Sequence, residues 1–253
     1  MPLSLNGKML IMKYLALIIL LLSPSAFATM PDGSGKHHAN SQPLPLEQPQ
    51  DVDELLRRLK DERLKNLLDG AFWTVSHDYA EFKHMEEVLK SVQTYFEAIG
   101  KYEQGDRSSL DQLGGVKAFK DKLAGWLNDD DQAIRAFAAV MLGISGDKSY
   151  TPQLAILLKE RESDNDHPRY DRGRAAMALG LVGAQEYTSE LVNLLNSSNE
   201  YDRVGAAYGL GWLGAKDQAK AVAKLLHDKD EGVREAAKES LEMMGATGLI
   251  KDK

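Results

Sequence analysis

The sequence predicts an all-α protein: a right-handed solenoid of helical hairpins, closed at its N-terminal end by a helical cap. Three observations predict it. Four stretches can be laid over one another, each with an Arg, an Ala three residues on, a Leu four after that and a Gly four later still. A second apolar helix precedes each copy. The segment before the first copy is helical in pattern but carries no signature. A period of this kind means stacked units, each too small to bury its own apolar face.

The chain opens with an export signal. Lys8 and Lys13 precede an apolar run from Tyr14 to Leu22, and Ala26-Phe27-Ala28 follows as a small-x-small cleavage site. Nine apolar residues are short of the ~20 that span a bilayer. Residues 1–28 therefore read as a signal peptide whose removal leaves no membrane span, in an exported protein, periplasmic or secreted. Its two lysines take the formal charge from -7 to -9.

Residues 29–50 follow as a disordered linker, rich in Pro, Gly and Ser and holding His37-His38. Residues 51–113 read as the cap. Leu55, Leu56, Leu59, Leu67 and Leu68 recur at helical spacing behind Asp53, which can cap the start. A second helix is expected from about Asp78 to Ile99, with Phe82, Met85, Val88, Leu89, Val92 and Phe96 on one face and Gly100 as its stop.

Residues 116–246 hold the four repeats. Their signatures are Arg135, Ala138, Ala139, Leu142, Gly143, Gly146; Arg172, Ala175, Ala176, Leu179, Gly180, Gly183; and Arg203, Ala206, Ala207, Leu210, Gly211, Gly214. The fourth is looser: Arg234, Ala237, Leu241 and Gly245, with Lys238 and Glu242 replacing the second Ala and first Gly. Two periods are 31 residues and one is 37, because six extra residues lie between Arg161 and Arg169. Paired Ala lets helices approach closely and Leu fills the gap. Gly after the Leu is expected to end or loosen the helix. Residues 247–253 form a C-terminal tail.

This pattern resembles the HEAT-repeat family, and within it the HEAT-like repeats of phycobilisome (bilin) lyases. Family repeats usually carry an Asp six residues before the Arg; Asp129, Asp166, Ser197 and Asp228 stand there. The resemblance implies that the second helix of each unit lines a concave face.

Several patterns that could carry chemistry are weak in context. Gly209-Leu210-Gly211-Trp212-Leu213-Gly214 matches Gly-x-Gly-x-x-Gly, but it closes a helix where a dinucleotide site needs a strand before it. His77, Glu81 and His84 share a helix flank without a further ligand, so no metal site follows. Asp164-Asn165-Asp166 begins like a calcium loop, but its twelfth position is Ala175, not an acid. With no cysteine, no nucleophile elbow and no phosphate loop, no catalytic residue and no cofactor is assigned. The acidic balance excludes a nucleic-acid protein.

One signal remains. At about 100° per residue, positions -2, +2, +5 and +9 from the signature Arg point away from its core positions and should be polar. They read Ala133, Phe137, Val140, Ile144; Tyr170, Arg174, Met177, Leu181; Tyr201, Gly205, Tyr208, Trp212; and Gly232, Ala236, Glu239, Met243. Phe137, Tyr170, Arg174, Met177, Tyr201, Tyr208 and Trp212 have the composition of a partner-binding surface for a protein or peptide. The alternative is that these columns pack against the first helices. Read this way, the chain is a non-catalytic interaction scaffold. A bilin-lyase-like enzyme, or an accessory factor for a hydrophobic ligand, is the other reading. Oligomeric state is open.

Overall fold

The computed structural model describes residues 52–61, 63–64, 83–159 and 169–250 (of 83–86, the backbone). The signal segment, the linker, His77, Glu81 and the side chain of His84, and the loop at Asp164 lie outside these residues. No strand occurs among the described residues, and none of their helices is long and apolar enough to cross a membrane. Those up to Asp121 belong to one compact unit and those from Lys122 to another.

In the first unit, α1 (Val52–Leu59) buries Leu55, Leu56 and Leu59, with Asp53 in its first turn. The next helix, α2 (Lys83–Glu103), buries Val88, Leu89, Val92, Tyr95, Phe96 and Ile99. It does not stop at Gly100. A helical Gly costs only about 1 kcal/mol, and one further turn brings Glu103 to Lys60 at 2.6 Å. The stop is Gly105, with φ 96°. After the single turn α3 (Ser108–Asp111) comes α4 (Gly115–Trp126). Phe119 of α4 stacks on Tyr95 at 4.7 Å and meets Phe96 edge-on at 6.3 Å. The Tyr95 hydroxyl, buried at its ring, donates to the Leu113 carbonyl at 2.9 Å.

The second unit is a helical-repeat solenoid. The signature helices are α5 (Gln132–Ser145), α7 (Asp171–Leu181), α9 (Glu200–Trp212) and α11 (Glu231–Met243). Between them lie the short helices α6 (Thr151–Ile156), α8 (Thr188–Leu194) and α10 (Ala219–Ala223), each entered through a 3-10 turn. Each short helix packs on the signature helix of its own unit, while the signature helices stack in series: α5 on α7, α7 on α9, α9 on α11. Leu142, Leu179, Leu210 and Leu241 are fully buried, as are Ala138, Ala175, Ala206 and Ala237. Asp131, Asn199 and Asp230 cap α5, α9 and α11 by accepting backbone amides of Ala133, Tyr201 and Val233 at 2.7, 3.0 and 3.0 Å.

The two glycine columns of the signature have different tasks. Gly146, Gly183, Gly214 and Gly245 all adopt left-handed φ of 61–74° just past the helix, where a side chain is disfavoured. The glycines directly after the Leu do not end the helix, contrary to expectation. Gly143, Gly180 and Gly211 lie inside their helices, and an added Cβ would strike the next helix. On Gly143 it would sit 2.8 Å from the Cα of Ala178, and on Gly180 it would collide with the backbone of Gly209. A further pair, Gly173 and Gly205, brings α7 and α9 backbone to backbone at their N-terminal ends. In the last unit the equivalent positions carry Lys238 and Glu242, both exposed. Among the described residues no further unit stacks there, and a polar face stands in place of small residues.

Candidate recognition surface

The surface columns are positioned by an arginine ladder that runs along the stack. Arg135 donates from Nη1 to the turn carbonyls of Asp129 and Asp130 at 2.6 and 2.7 Å, and from Nε to Asp171 of the next unit at 2.7 Å. Arg172 donates from Nε to Asp202 at 3.0 Å, and its Nη2 also bonds to Asp202. Arg203 holds the Ser197 and Ser198 carbonyls at 2.9 and 3.0 Å and pairs through Nε and Nη2 with Asp228 at 2.9 and 2.8 Å. Each guanidinium thus ties its own unit to the next. Charge-assisted, forked bonds of this kind fix orientation as well as distance.

The acids that complete the ladder are not all at the expected position. Asp228 stands six residues before its Arg, but Asp171 and Asp202 immediately precede theirs and are fully buried. In the third unit Ser197 contributes a hydroxyl bond to Asp202 at 2.7 Å, so the charge lost at Ser197 is supplied five residues later. The signal available in the sequence was an Asp directly before both Arg172 and Arg203. Burial alone would raise the Asp228 carboxyl. The Arg203 guanidinium and the Asp230 amide outweigh it and hold Asp228 below the usual carboxylate range.

On this frame the seven candidate residues fall into three groups. Phe137, Tyr170 and Met177 are buried. Arg174, Tyr208 and Trp212 are half-buried. Tyr201 is 46% exposed, unusual for a large aromatic here. The first unit's whole column, Ala133, Phe137, Val140 and Ile144, is inaccessible. The accessible candidates belong to α7 and α9.

Arg174 is the chemical centre of that group. Its neighbours are Tyr170, Tyr201 and Tyr208, and among the described residues no carboxylate pairs with it. Burial lowers the pKa of its guanidinium, an effect the three tyrosines only partly offset. Tyr170 and Tyr201 meet edge to face with centroids 6.0 Å apart. Tyr208 donates to Glu239 of α11 at 2.9 Å; burial and this bond push its pKa well above that of a free phenol. The arrangement is a desolvated cation walled by aromatic rings. It can accept a carboxylate and flank it with apolar surface.

The stacked geometry and the signature columns agree with an independent comparison. Residues 163–242 match the family model of HEAT repeats. No curated protein matches the chain. The match runs from ahead of α7 into α11 and takes in Arg174 and its tyrosines. The Gly-x-Gly-x-x-Gly string is accounted for within the helical stack: Gly209 and Gly211 are contact points between helices, and Gly214 is the left-handed terminator. The helix that contains the string begins at Glu200, nine residues before its first glycine.

Proposed function

We propose that this chain is an exported, non-catalytic scaffold that holds a protein or peptide on the concave face of its repeat stack. Arg174 is the observation that carries the reading: a partly desolvated guanidinium with no acid beside it among the described residues. Proteins rarely keep a cation in such a place without a counter-charge, and a partner's carboxylate supplies one. HEAT repeats commonly mediate protein–protein interaction. Tyr201 and Trp212 offer the rigid aromatic area typical of residues that dominate binding energy.

Capture of partners from the exported fraction, with parent and variant chains side by side, tests the proposal. Arg174→Gln and Tyr201→Ala should each weaken capture by about tenfold or more, with the melting temperature nearly unchanged. Variants that melt lower yet bind normally when folded would make these residues part of the packing. The lyase-like alternative predicts a chromophore or hydrophobic ligand bound to the purified protein, visible by absorbance and mass analysis.

A further inference from the structure

The arginine ladder ends on an open rung. Arg234 holds the turn carbonyls of Asp228 and Lys229 through Nη1 at 2.8 and 3.0 Å, as Arg135 and Arg203 hold theirs. In Arg135, Arg172 and Arg203 the Nε edge reaches a carboxylate of the following unit. Among the described residues no unit follows α11, and no carboxylate bonds to Nε or Nη2 of Arg234.

Arg234 lines a groove of about 730 Å³ between α10, α11 and the C-terminal turn Thr247–Ile250. Lys220, Lys224 and Lys238 line it as well, with Leu249 and Ile250 as apolar contacts. Glu231 and Glu235 are its acids, and among the described residues neither is paired with one of these cations. Four lysine and arginine side chains against two carboxylates reverse the sign of a chain whose formal charge is -7. The groove's charge therefore selects an acidic occupant.

The ladder also says how the acid arrives. Asp171 opens α7 and Asp202 lies in the first turn of α9, so two of the inner arginines meet a carboxylate at the start of an incoming helix. A further copy of the repeat is excluded by shape. It would have to sit on Lys238 and Glu242, where the inner units offer Ala and Gly. We propose that this end groove docks an acidic helix of a partner protein. An Asp or Glu in its first turn occupies on Arg234 the place that Asp171, Asp202 and Asp228 occupy on the arginines before it.

The test is fluorescence anisotropy with the full chain and a labelled helical peptide of Leu and Ala carrying Asp in its first turn. Its Asp-to-Asn twin and inorganic phosphate are the comparison probes. The parent should bind the Asp peptide, and the Asn twin should bind about tenfold or more weakly. Arg234→Gln should weaken binding similarly. So should the double variant Lys224→Glu with Lys238→Glu, whose exposed positions leave the melting temperature in place. Arg174→Gln should leave this affinity unchanged, which separates the end groove from the concave face. Absence of binding, equal binding by the twin, or full affinity in the lysine variant overturns the proposal. Displacement by phosphate would make the groove a small-anion site, and loss on Arg174→Gln would move the peptide to the other face; either result also overturns it.

Discussion

The seam between α7 and α9 and the seam between α9 and α11 join equivalent helices by different means. At the first, Gly173 meets Gly205 and Gly180 meets Gly209, so two backbones touch with no side chain between them. At the second, a Cβ on Gly211 would meet the Met243 methyl at 2.5 Å and the Ser240 Cα at 3.0 Å. A methionine end can swing aside; a carbonyl cannot. The inner seam is therefore rigid and selective for glycine, and the outer seam is adaptable. Arg174, Tyr201 and Tyr208 are carried by the two helices of the rigid seam, which holds the candidate surface in a fixed geometry.

Three experiments would break or sharpen that contrast. The largest effect is expected from Asp202→Ala, which removes the buried counter-charge of Arg172 and the acceptor of the Ser197 hydroxyl. Truncating one partner of a buried pair costs about 3–5 kcal/mol, and urea unfolding should show a loss in that range. A loss under about 1 kcal/mol, as for a solvent-exposed pair, would mean that the ladder does not bind the units together.

Next comes the glycine comparison. Gly205→Ala forces α7 and α9 apart and should cost about 1–3 kcal/mol or more. For Gly211→Ala, the gain in helix propensity of about 1 kcal/mol offsets the displacement of Met243. Its melting temperature should stay near the parent's. Equal effects at the two sites would erase the distinction between the seams.

The smallest effect is in the pH dependence of Asp228. Its folded pKa is depressed below the unfolded value, so its pairing with Arg203 stabilises fully above the unfolded pKa. The contribution is lost as pH falls through the folded value. The stability difference between the parent and Asp228→Asn should be widest near neutrality and close on acidification below about pH 4. A difference that is constant with pH would show that the carboxylate charge is not what links these units.

The repeat itself was legible because close packing leaves a periodic trace: Ala, Leu and Gly recur wherever one helix must lie on the next. The two uses of Gly were not. A glycine in the last turn of a helix and a glycine just past its end look alike in one dimension. Only the neighbouring backbone shows that Gly180 is a contact and Gly183 a terminator. The buried acids were hidden for a related reason. Asp171 and Asp202 follow no fixed offset across the four units, since Asp228 reaches the same kind of site from a different turn. The columns at -2, +2, +5 and +9 share one angular position, yet Phe137 is sealed and Tyr201 open. Periodicity gives a direction on a helix; what lies in that direction depends on the surrounding chain.

The ladder has a polarity that bears on how the protein is made. Arg135 and Arg203 each bond back to their own turn, and the guanidinium groups of Arg135, Arg172 and Arg203 all bond forward to an acid of the following unit. A nascent chain that has just released the first unit holds Arg135 without Asp171, and the next extension holds Arg172 without Asp202. Each unit is thus completed by its successor, and the growing end is always the one with an unsatisfied charge. Assembly in the order of synthesis closes each rung as it emerges, whereas a chain cut short anywhere in the stack keeps one exposed, sticky terminus.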